Sequence, residues 1–440
     1  MTLPEQGSAT GSEPTLNHAA VRAKRTIQLG IGRLGPGLIT GAADDDPSGI
    51  ATYSQAGAQF GINMLWTLVI TYPLMVAVQM ISARIGRVTG KGLAANLLEM
   101  MPQSVVVTLT LLLFAANAIN IGADVAAMGA AAQLLAGGGA VPFTIAAAAI
   151  SLLLQVWIPY HRYVRYLKWC TLVLFTYVGV VFSVQIDWLD VAQRVVRPKV
   201  DFSAAWITVV VAIFGTTISP YLFFWQTAEE VEDMELKDRP DLKHTNQAAA
   251  RLELRRMAVD TFTGMTISNL VAFFIILTAA VTLYSSGVTH IETSAQAAEA
   301  LRPIAGPFAF LMFSLGIIGT GFLALPVLAG SAAYAVAEAF GLPKGLERKP
   351  AEAKAFYGVI VAIMVIATGA IFLRLDPIKM LFWSAVINGV ISVPILGVMM
   401  VLARRHRQMG AYVANTWQHL LGWAATLVMA LAVAGMFAFS

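Results

Sequence analysis

The sequence predicts an all-α polytopic membrane protein, and three observations carry that prediction. Of its 440 residues, 58% are hydrophobic and only 12% are charged, whereas soluble domains carry about 25% charged residues. The apolar residues fall in runs of roughly 20, the length that a helix needs to cross a hydrocarbon core about 30 Å thick. The alternating segments of about ten residues that form a membrane β-barrel do not occur in the sequence.

About eleven transmembrane helices are predicted, and they divide the chain into three parts. Residues 1–25 are polar and lack a basic start followed by an apolar run, so they predict a disordered cytoplasmic tail rather than a signal peptide. Residues 26–402 form the predicted core, and residues 403–440 hold an additional eleventh helix. The predicted spans are 34–60, 62–83, 103–136, 141–158, 165–185, 204–236, 256–284, 303–340, 355–374, 377–402 and 416–438.

Lys and Arg residues cluster in alternate loops, which predicts an orientation. Cytoplasmic loops carry an excess of basic residues, and the loops after the even-numbered spans are the basic ones, whereas the others are poor in Lys and Arg except for 187–201. We therefore expect an inner-membrane protein with a cytoplasmic N-terminus and an external C-terminus. The formal net charge of +4 comes from residues between spans, so we expect no nucleic-acid partner and no obligatory protein partner.

Two of the predicted spans are interrupted by polar residues and proline. The first contains GPGLITGAADDDPSGIATYSQAG and the sixth contains AIFGTTISPYLFFWQTAEE. Pro47 and Pro220 each remove a backbone donor, and non-helical backbone at membrane depth survives only where it lines a cavity or is buried in protein. Each break opens a run of five spans, so we predict two inverted repeats, about 30–185 and 203–402. Ordinary proline kinks would leave the three aspartates of the first break unexplained.

Three consecutive carboxylates, Asp44, Asp45 and Asp46, lie at the first break. An ionised carboxylate at mid-membrane costs at least about 2.5–3.5 kcal/mol, and no Lys or Arg lies within ten residues. Divalent cations such as Mg²⁺ and Ca²⁺ prefer oxygen ligands, so the sequence predicts a divalent metal cation here, with Asp46 as its first ligand. Asp44 and Asp45 are equally consistent with a helix cap or a solvated vestibule. The further candidate ligands are Asp45, Ser48, Gly49, Thr216, Thr217, Ser219 and Asn388.

These segments resemble signatures of the NRAMP divalent-metal transporters. GPGLITGAADDDPSGIAT is similar to the first-helix signature, which reads Asp-Pro-Gly-Asn, and ISPYLFF is similar to the sixth-helix signature, which reads Met-Pro-His. GADVAAMGAA in the third span and SNLVAFFIILTAA in the seventh also fit, so the resemblance covers residues 30–402. It implies a LeuT-like 5+5 inverted repeat, a metal site between helices one and six, and transport without an enzymatic reaction. No cofactor is implied beyond the transported ion.

Three positions depart from the family pattern. Asp46 matches the family's metal-binding aspartate, but Gly49, Ser219 and Tyr221 stand where the family has asparagine, methionine and histidine. Thioether sulfur favours softer transition metals, whereas hydroxyl and water ligands suit Mg²⁺, Ca²⁺ or Mn²⁺. The lost bulk would also leave room for a partly hydrated ion. Because the pattern is similar to that of the NRAMP-related magnesium transporters, we expect Mg²⁺ to be preferred, with Mn²⁺ as a second substrate.

Asp124 in the third span bears on proton coupling. It matches the aspartate of an Asp-x-x-Glu pair in the family's proton route, but Ala127 replaces the glutamate. All six histidines lie in tails, loops or span ends, so no histidine relay at membrane depth is predicted. We therefore expect proton coupling to be weak or absent, and a structural hydrogen-bonding role for Asp124 stays equally open.

Four acidic residues close the sixth span. Glu229 and Glu230 are candidates for an exit vestibule that attracts cations. Glu232 and Asp233 are expected at a solvated helix end, where they would be balanced by Lys237, Arg239 and Arg255.

Other functions remain open from the sequence alone. A proton-coupled Mn²⁺/Fe²⁺ transporter of the NRAMP type is the first alternative, and a transporter of amino acids or other organic solutes with the same fold is the second. In the latter, helix breaks expose N–H groups to a substrate carboxylate, which three aspartates would repel. An intramembrane hydrolase with paired carboxylates is disfavoured because no second aspartate motif lies in another span.

Overall fold

The structure, a computed structural model, describes residues 35–439 apart from 168, 370–371 and 373–374. Within these residues every regular element is a helix, as predicted. The predicted tail, residues 1–25, lies outside the described residues. The α-helices are α1 (Pro36–Asp44), α2 (Pro47–Phe60), α3 (Leu65–Thr89), α4 (Leu93–Leu98), α5 (Gln103–Ala136), α6 (Ala140–Trp157), α7 (Tyr160–Leu167), α8 (Phe175–Ser183), α9 (Trp188–Val196), α10 (Ala204–Thr217), α11 (Pro220–Leu236), α12 (Gln247–Thr282), α13 (Ser294–Glu299), α14 (Arg302–Ala305), α15 (Ala309–Ala339), α16 (Lys354–Gly369), α17 (Pro377–Ala403), α18 (His406–Met409) and α19 (Thr416–Phe439).

Each predicted span overlaps at least one of these helices. The number of membrane-spanning helices depends on how bends are treated. In the described part of the chain, eight helical stretches are long and apolar enough to cross a membrane, or nine if Thr171–Ser183 and Trp188–Val196, bent by 114°, form one span. One of the eight is Pro47–Thr89, whose 43 residues exceed the about 20 needed for one crossing. The sequence divides this stretch at Gly61. The ninth predicted span is the shorter apolar helix α16, with 16 residues.

Both predicted helix breaks are present at the predicted residues. α1 ends at Asp44 and α2 begins at Pro47, while α10 ends at Thr217 and α11 begins at Pro220. Each proline is the first residue of its helix, where its fixed φ suits the helix and its missing N–H costs nothing. The broken span α10–α11 lies at the centre of the bundle, because 94% of its most apolar stretch is buried, against 28% for α6 and for α19.

The first half-helix, α1, is held against α12 by backbone contact. A β-carbon on Gly37 would lie 2.5 Å from the Thr261 Cα, so only glycine permits this approach. Asp260 Oδ2 accepts a hydrogen bond from the Gly37 N–H at 2.8 Å. The carboxylate thus caps the amino end of α1, where the helix dipole favours negative charge.

The second break is supported in a similar way by α17. A β-carbon on Gly215 would lie 2.0 Å from the Ala385 carbonyl oxygen and 2.5 Å from the Gly389 nitrogen. The Ser392 hydroxyl donates to the Ile218 carbonyl at 2.8 Å, which satisfies a backbone group inside the break. α17 therefore fixes the end of α10 and places Asn388, the neighbour of Gly389, beside that end.

Candidate functional site

Asp46 lies in the gap between α1 and α2 and is the N-cap of α2. Its Oδ1 accepts hydrogen bonds from the Gly49 N–H at 2.7 Å and from the Ser48 hydroxyl at 2.9 Å. Its Oδ2 accepts from the Asn120 amide at 3.0 Å and from the Tyr221 hydroxyl at 3.4 Å. Asp46 is 1% exposed, so donors from α2, α5 and α11 together hold a buried carboxylate.

Asn120 was not among the residues predicted from the sequence. It lies on α5, is fully buried, and donates a hydrogen bond from α5 to Asp46. The signal that could have found it is the spacing of Asn117, Asn120 and Asp124, which are three and four residues apart and so share one helix face. In a span this apolar, such a polar stripe indicates a face that points into the bundle.

The ends of the half-helices meet at this carboxylate. α1 ends two residues before Asp46, and Thr216 at the end of α10 lies close to Gly49, whose β-carbon position is 3.2 Å from the Thr216 Oγ1. The carboxyl end of a helix carries roughly half a unit of negative charge. The amino end of α2 is already neutralised by its cap, Asp46. The carboxyl ends of α1 and α10 therefore favour a cation beside them.

Asp44 and Asp45 are both in hydrogen-bond contact with α12. The Ser268 hydroxyl lies 2.5 Å from the Asp44 Oδ2 and 3.2 Å from the Asp45 Oδ1. Asp44 is 0% exposed and Asp45 is 4% exposed. The interpretation of these two residues as a solvated vestibule face is therefore wrong, because both are buried against α12. In the described residues no three side chains of His, Cys, Asp or Glu converge into a metal-binding group.

Gly49 does not leave the open space expected from the missing side chain. A β-carbon there would lie 3.2 Å from the Thr216 Oγ1, 3.3 Å from the Asp44 carbonyl oxygen and 3.4 Å from the Tyr53 ring. That expectation is wrong in this structure, because Thr216 and Tyr53 occupy the space. Ser48 has its hydroxyl on Asp46, so both residues after Pro47 help to orient the carboxylate.

In the second break, the hydroxyl groups of Ser219 and Thr217 donate hydrogen bonds to backbone carbonyls of α10. The Ser219 hydroxyl lies 2.6 Å from the Gly215 carbonyl and 2.9 Å from the Thr216 carbonyl. The Thr217 hydroxyl donates to the Ile213 carbonyl at 2.9 Å. A hydroxyl that donates to the backbone still has free lone pairs for a cation. Ser219 and Thr217 can therefore contribute oxygen acceptors, and both are buried.

Asp124 and Asn388 are buried and have oxygens without donors. Neither carboxylate oxygen of Asp124 accepts a hydrogen bond from a described residue, and the same holds for the Asn388 Oδ1. Asp124 is 0% exposed and Asn388 is 1% exposed. Unsatisfied buried acceptors are unfavourable, so both are placed where a donor or a cation would be stabilising.

Among the acidic residues of α11, the environment of Glu232 differs from the prediction. Glu230 is buried and accepts from the Gln226 amide at 3.4 Å, whereas Glu229 is half-buried. Glu232 is 9% exposed and accepts from the Tyr334 hydroxyl and, at 2.8 Å, from the Leu346 N–H. The expectation of a solvated end is therefore wrong for Glu232, which joins α11 to α15 and the loop after it.

Asp233 does form the predicted kind of ion pair at the end of α11. It pairs with Lys237 and, at 3.5 Å, with Arg256. Arg239, which was expected to balance this cluster, pairs instead with Glu253 at 2.6 Å.

The buried carboxylates of the site have no basic partner. Among the described residues, no salt bridge involves Asp44, Asp45, Asp46 or Asp124. A buried charge without a partner is strongly unfavourable. The arrangement of one hydrogen-bonded carboxylate among neutral oxygens is therefore suited to an ion that supplies the missing positive charge.

Comparison with known proteins finds relatives that match almost the whole chain. The chain is 24% identical over 428 residues to the divalent metal cation transporter MntH of Klebsiella pneumoniae subsp. pneumoniae, covering 94% of this chain and 95% of that protein. It is 25% identical over 442 residues to the MntH of Deinococcus radiodurans, covering 95% and 94%.

Solved structures share the fold. The Eremococcus coleocola manganese transporter, in complex with an aromatic bis-isothiourea compound, superposes with a TM-score of 0.70 at 18% identity, covering 91% of this chain and 84% of that one. Mhp1, a nucleobase-cation-symport-1 family transporter, superposes with a TM-score of 0.55 at 13% identity, covering 92% and 93%. The predicted LeuT-like architecture is thereby confirmed. The family model described as Nramp, natural resistance-associated macrophage protein-like, matches residues 37–438, and the chain therefore belongs to the Nramp family of polytopic membrane proteins.

Proposed function

We propose that this protein transports a divalent metal cation across the membrane by alternating access, with Asp46 as the anionic ligand. The observation that carries the proposal is the burial of Asp46 between two helix breaks, among oxygen atoms and without a basic partner. The names of the relatives, divalent metal cation transporter and manganese transporter, support the same substrate class.

The ligands proposed beside Asp46 come from both repeats, and all of them except the Asp45 carboxylate are neutral oxygens. Thr216, Thr217 and Ser219 offer hydroxyl lone pairs, and Asn388 offers an amide oxygen with no donor. Hard cations take such oxygens together with retained waters. The remaining members of the proposed ligand set are Ser48, the backbone of Gly49, and Asp45.

The proposed selectivity follows from the donor atoms. The proposed ligands all offer oxygen, and oxygen ligands suit Mg²⁺ and Mn²⁺. Mn²⁺ is supported by the manganese transporter among the structural neighbours. We propose that both ions are carried and that Mg²⁺ is preferred, as in the magnesium-transporting branch, since Ser219 replaces the sulfur ligand.

The conformation corresponds to a closed step of the transport cycle. The site residues are all buried, and a charge network closes the side where α3, α11 and α12 meet. Glu253 pairs with Arg87 at 2.9 Å, with Arg239 at 2.6 Å and with Arg256 at 3.1 Å. This network must separate before an ion can leave on that side. With the proposed cytoplasmic N-terminus, this is the inner side of the inner membrane, and the half-buried Glu229 and buried Glu230 would line the exit.

Coupling to protons is proposed to be weak or absent. Ala127 stands where the family has a second acid near Asp124. A divalent ion gains about 4.6 kcal/mol per 100 mV, twice the value for one charge, so the membrane potential alone can drive uptake.

Flux into proteoliposomes tests the proposal. Vesicles loaded with a metal-sensitive dye and a pH dye are given Mg²⁺, Mn²⁺ or Ca²⁺ with and without an inside-negative potential. We expect Mg²⁺ and Mn²⁺ uptake without stoichiometric acidification. Mn²⁺ uptake with acidification and no Mg²⁺ uptake would instead establish a proton-coupled manganese transporter. Uptake of an amino acid with no metal flux would overturn the proposed substrate class.

A further inference from the structure

The side-chain amide of Asn120 is only half used in this conformation. Its Nδ2 donates to the Asp46 Oδ2 at 3.0 Å, while its Oδ1 is buried and accepts no hydrogen bond from a described residue. A buried amide oxygen without a donor is unfavourable. The amide is thus poised in an arrangement that satisfies Asp46 and leaves its own acceptor unsatisfied.

Asp124, on the same helix face, has acceptor atoms that lack a donor. Both of its carboxylate oxygens lack a donor among the described residues, and the residue is fully buried. Residues four apart on a helix are neighbours, and side chains tilt towards the helix amino end. On this geometry the Asp124 carboxylate can approach the amide of Asn120, which lies one turn earlier.

A cation bound to Asp46 would make the amide oxygen of Asn120, rather than its N–H, the favourable group to face Asp46. An N–H group that points at a bound cation is repelled, whereas an amide oxygen is a favourable ligand for a hard ion. Rotation about χ2 of asparagine has a broad, roughly twofold profile. That rotation exchanges the oxygen and the nitrogen without movement of the α5 backbone.

We propose that Asn120 is an amide switch that responds to the cation. In the empty site Nδ2 donates to Asp46, and in the loaded site Oδ1 ligates the cation while Nδ2 donates to Asp124. Asn120 is then a ligand, and Asp124 is a positioning residue that acts through it. This inference rests on the proposed function, because it requires a cation at Asp46.

A double-mutant cycle on metal binding tests the switch. Mn²⁺ affinity is measured by titration calorimetry on the full-length protein in detergent, for the unmodified chain, Asn120→Leu, Asp124→Leu and the double variant. Loss of a partner that orients a metal ligand typically costs about 10–100-fold in affinity. We expect each single variant to bind at least about tenfold more weakly, and the double variant to bind about as weakly as Asn120→Leu. Additive losses would mean that Asp124 acts on the cation through space, and they would overturn the switch.

Two further variants keep the test decisive. Asn117→Leu is the matched control on α5, because its amide donates to the Leu328 carbonyl at 2.8 Å and to the Ser331 hydroxyl at 2.9 Å, not to Asp46. We expect Asp124→Leu to keep its full effect in the Asn117→Leu background. If Asn120→Leu fails to fold, Asn120→Asp replaces it, since a carboxylate ligates the cation but cannot donate to Asp124.

The outcomes separate the two proposals. In the Asn120→Asp background, we expect Asp124→Leu to lose most of its effect on affinity, and an undiminished effect would overturn the switch alone. No Mn²⁺ or Mg²⁺ binding by the unmodified chain would overturn the proposed function and the switch together.

Discussion

Gly41 in α1 and Gly264 in α12 meet in backbone contact: a β-carbon on Gly41 would lie 2.4 Å from both the carbonyl carbon and the carbonyl oxygen of Gly264. No flexible side chain is present on either side to give way. The first half-helix is thus seated on α12 directly before the carboxylates of the break, and its position sets the position of Asp46.

Gly41→Ala should therefore destabilise the protein. Overpacking of a well-packed interior costs about 1–3 kcal/mol, and here backbone rather than a side chain must move. We expect a lower thermal midpoint in detergent and reduced metal flux. Gly397→Ala in α17 is the matched control, because nothing lies within 4 Å of its β-carbon position, and there alanine should be neutral or slightly stabilising. Equal melting of the two variants would show that the α1–α12 contact is not tight.

Asp46→Ala should abolish metal flux while the protein still folds. The change removes the acceptor for donors from α2, α5 and α11 together with the charge of the first proposed ligand. Flux and calorimetric binding are measured on the same preparation, with thermal melting as the check of folding. Asp190→Asn is the matched control, since its partly exposed carboxylate pairs only with Arg194 in the described structure. Flux retained by Asp46→Ala would remove this residue from the site.

The position of Asp46 was predictable from the sequence, but its partners were not. Pro47 and Pro220 fix where the helices break, because proline cannot continue a helix from its amino side. The sequence contains no comparable mark for tertiary contact. Asn120 lies 74 positions from Asp46, and only the packing of α5 against the break brings them together.

The run of three aspartates shows the same limit in another way. Asp44 and Asp45 are hydrogen-bonded to Ser268 of α12, while Asp46 is hydrogen-bonded to residues of α5 and α11. α1 ends at Asp44 and Asp46 is the extended N-cap of α2, and a change from helical to extended backbone turns successive side chains in different directions.

Ser219→Met should shift selectivity towards transition metals. A thioether is a soft ligand, and Ser219 lies in the second break with its hydroxyl 2.6 Å from the Gly215 carbonyl. We expect the ratio of Mn²⁺ to Mg²⁺ flux to rise, and Cd²⁺ to become a better competitor. Thr108→Met, at an exposed position near the start of α5, controls for an added sulfur elsewhere. An unchanged ion profile would place Ser219 outside the site.

Glu253→Gln should open the side of the protein where the charge network lies. Glu253 pairs with Arg87, which is 1% exposed, and with Arg239 and Arg256. Removing its charge leaves a buried guanidinium without its partner, which is strongly unfavourable in the closed state. We expect the open conformation to gain population.

Cysteine accessibility measures that shift. In a Cys170→Ser background, a cysteine at Thr40 should react faster with a polar thiol reagent when Glu253→Gln is present, because Thr40 is buried in the closed form and bonded to Gln226 at 2.5 Å. Glu99→Gln is the matched control, since its pair with Lys91 is exposed and such pairs contribute about 0–1 kcal/mol. Equal reaction rates in the two variants would show that the network does not hold the closed state.

The membrane potential should drive uptake without a pH gradient. An inside-negative potential of 100 mV contributes about 4.6 kcal/mol for a divalent ion, enough for accumulation by about three orders of magnitude. We expect valinomycin and an outward K⁺ gradient to accelerate Mg²⁺ entry, and a proton ionophore alone to leave it unchanged.

The decisive comparison is with the variant Asp124→Asn. If the ion carries the current alone, this variant should weaken binding yet keep the dependence of flux on potential. A flux that follows the pH gradient in the unmodified protein and loses that dependence in Asp124→Asn would instead identify Asp124 as a proton carrier.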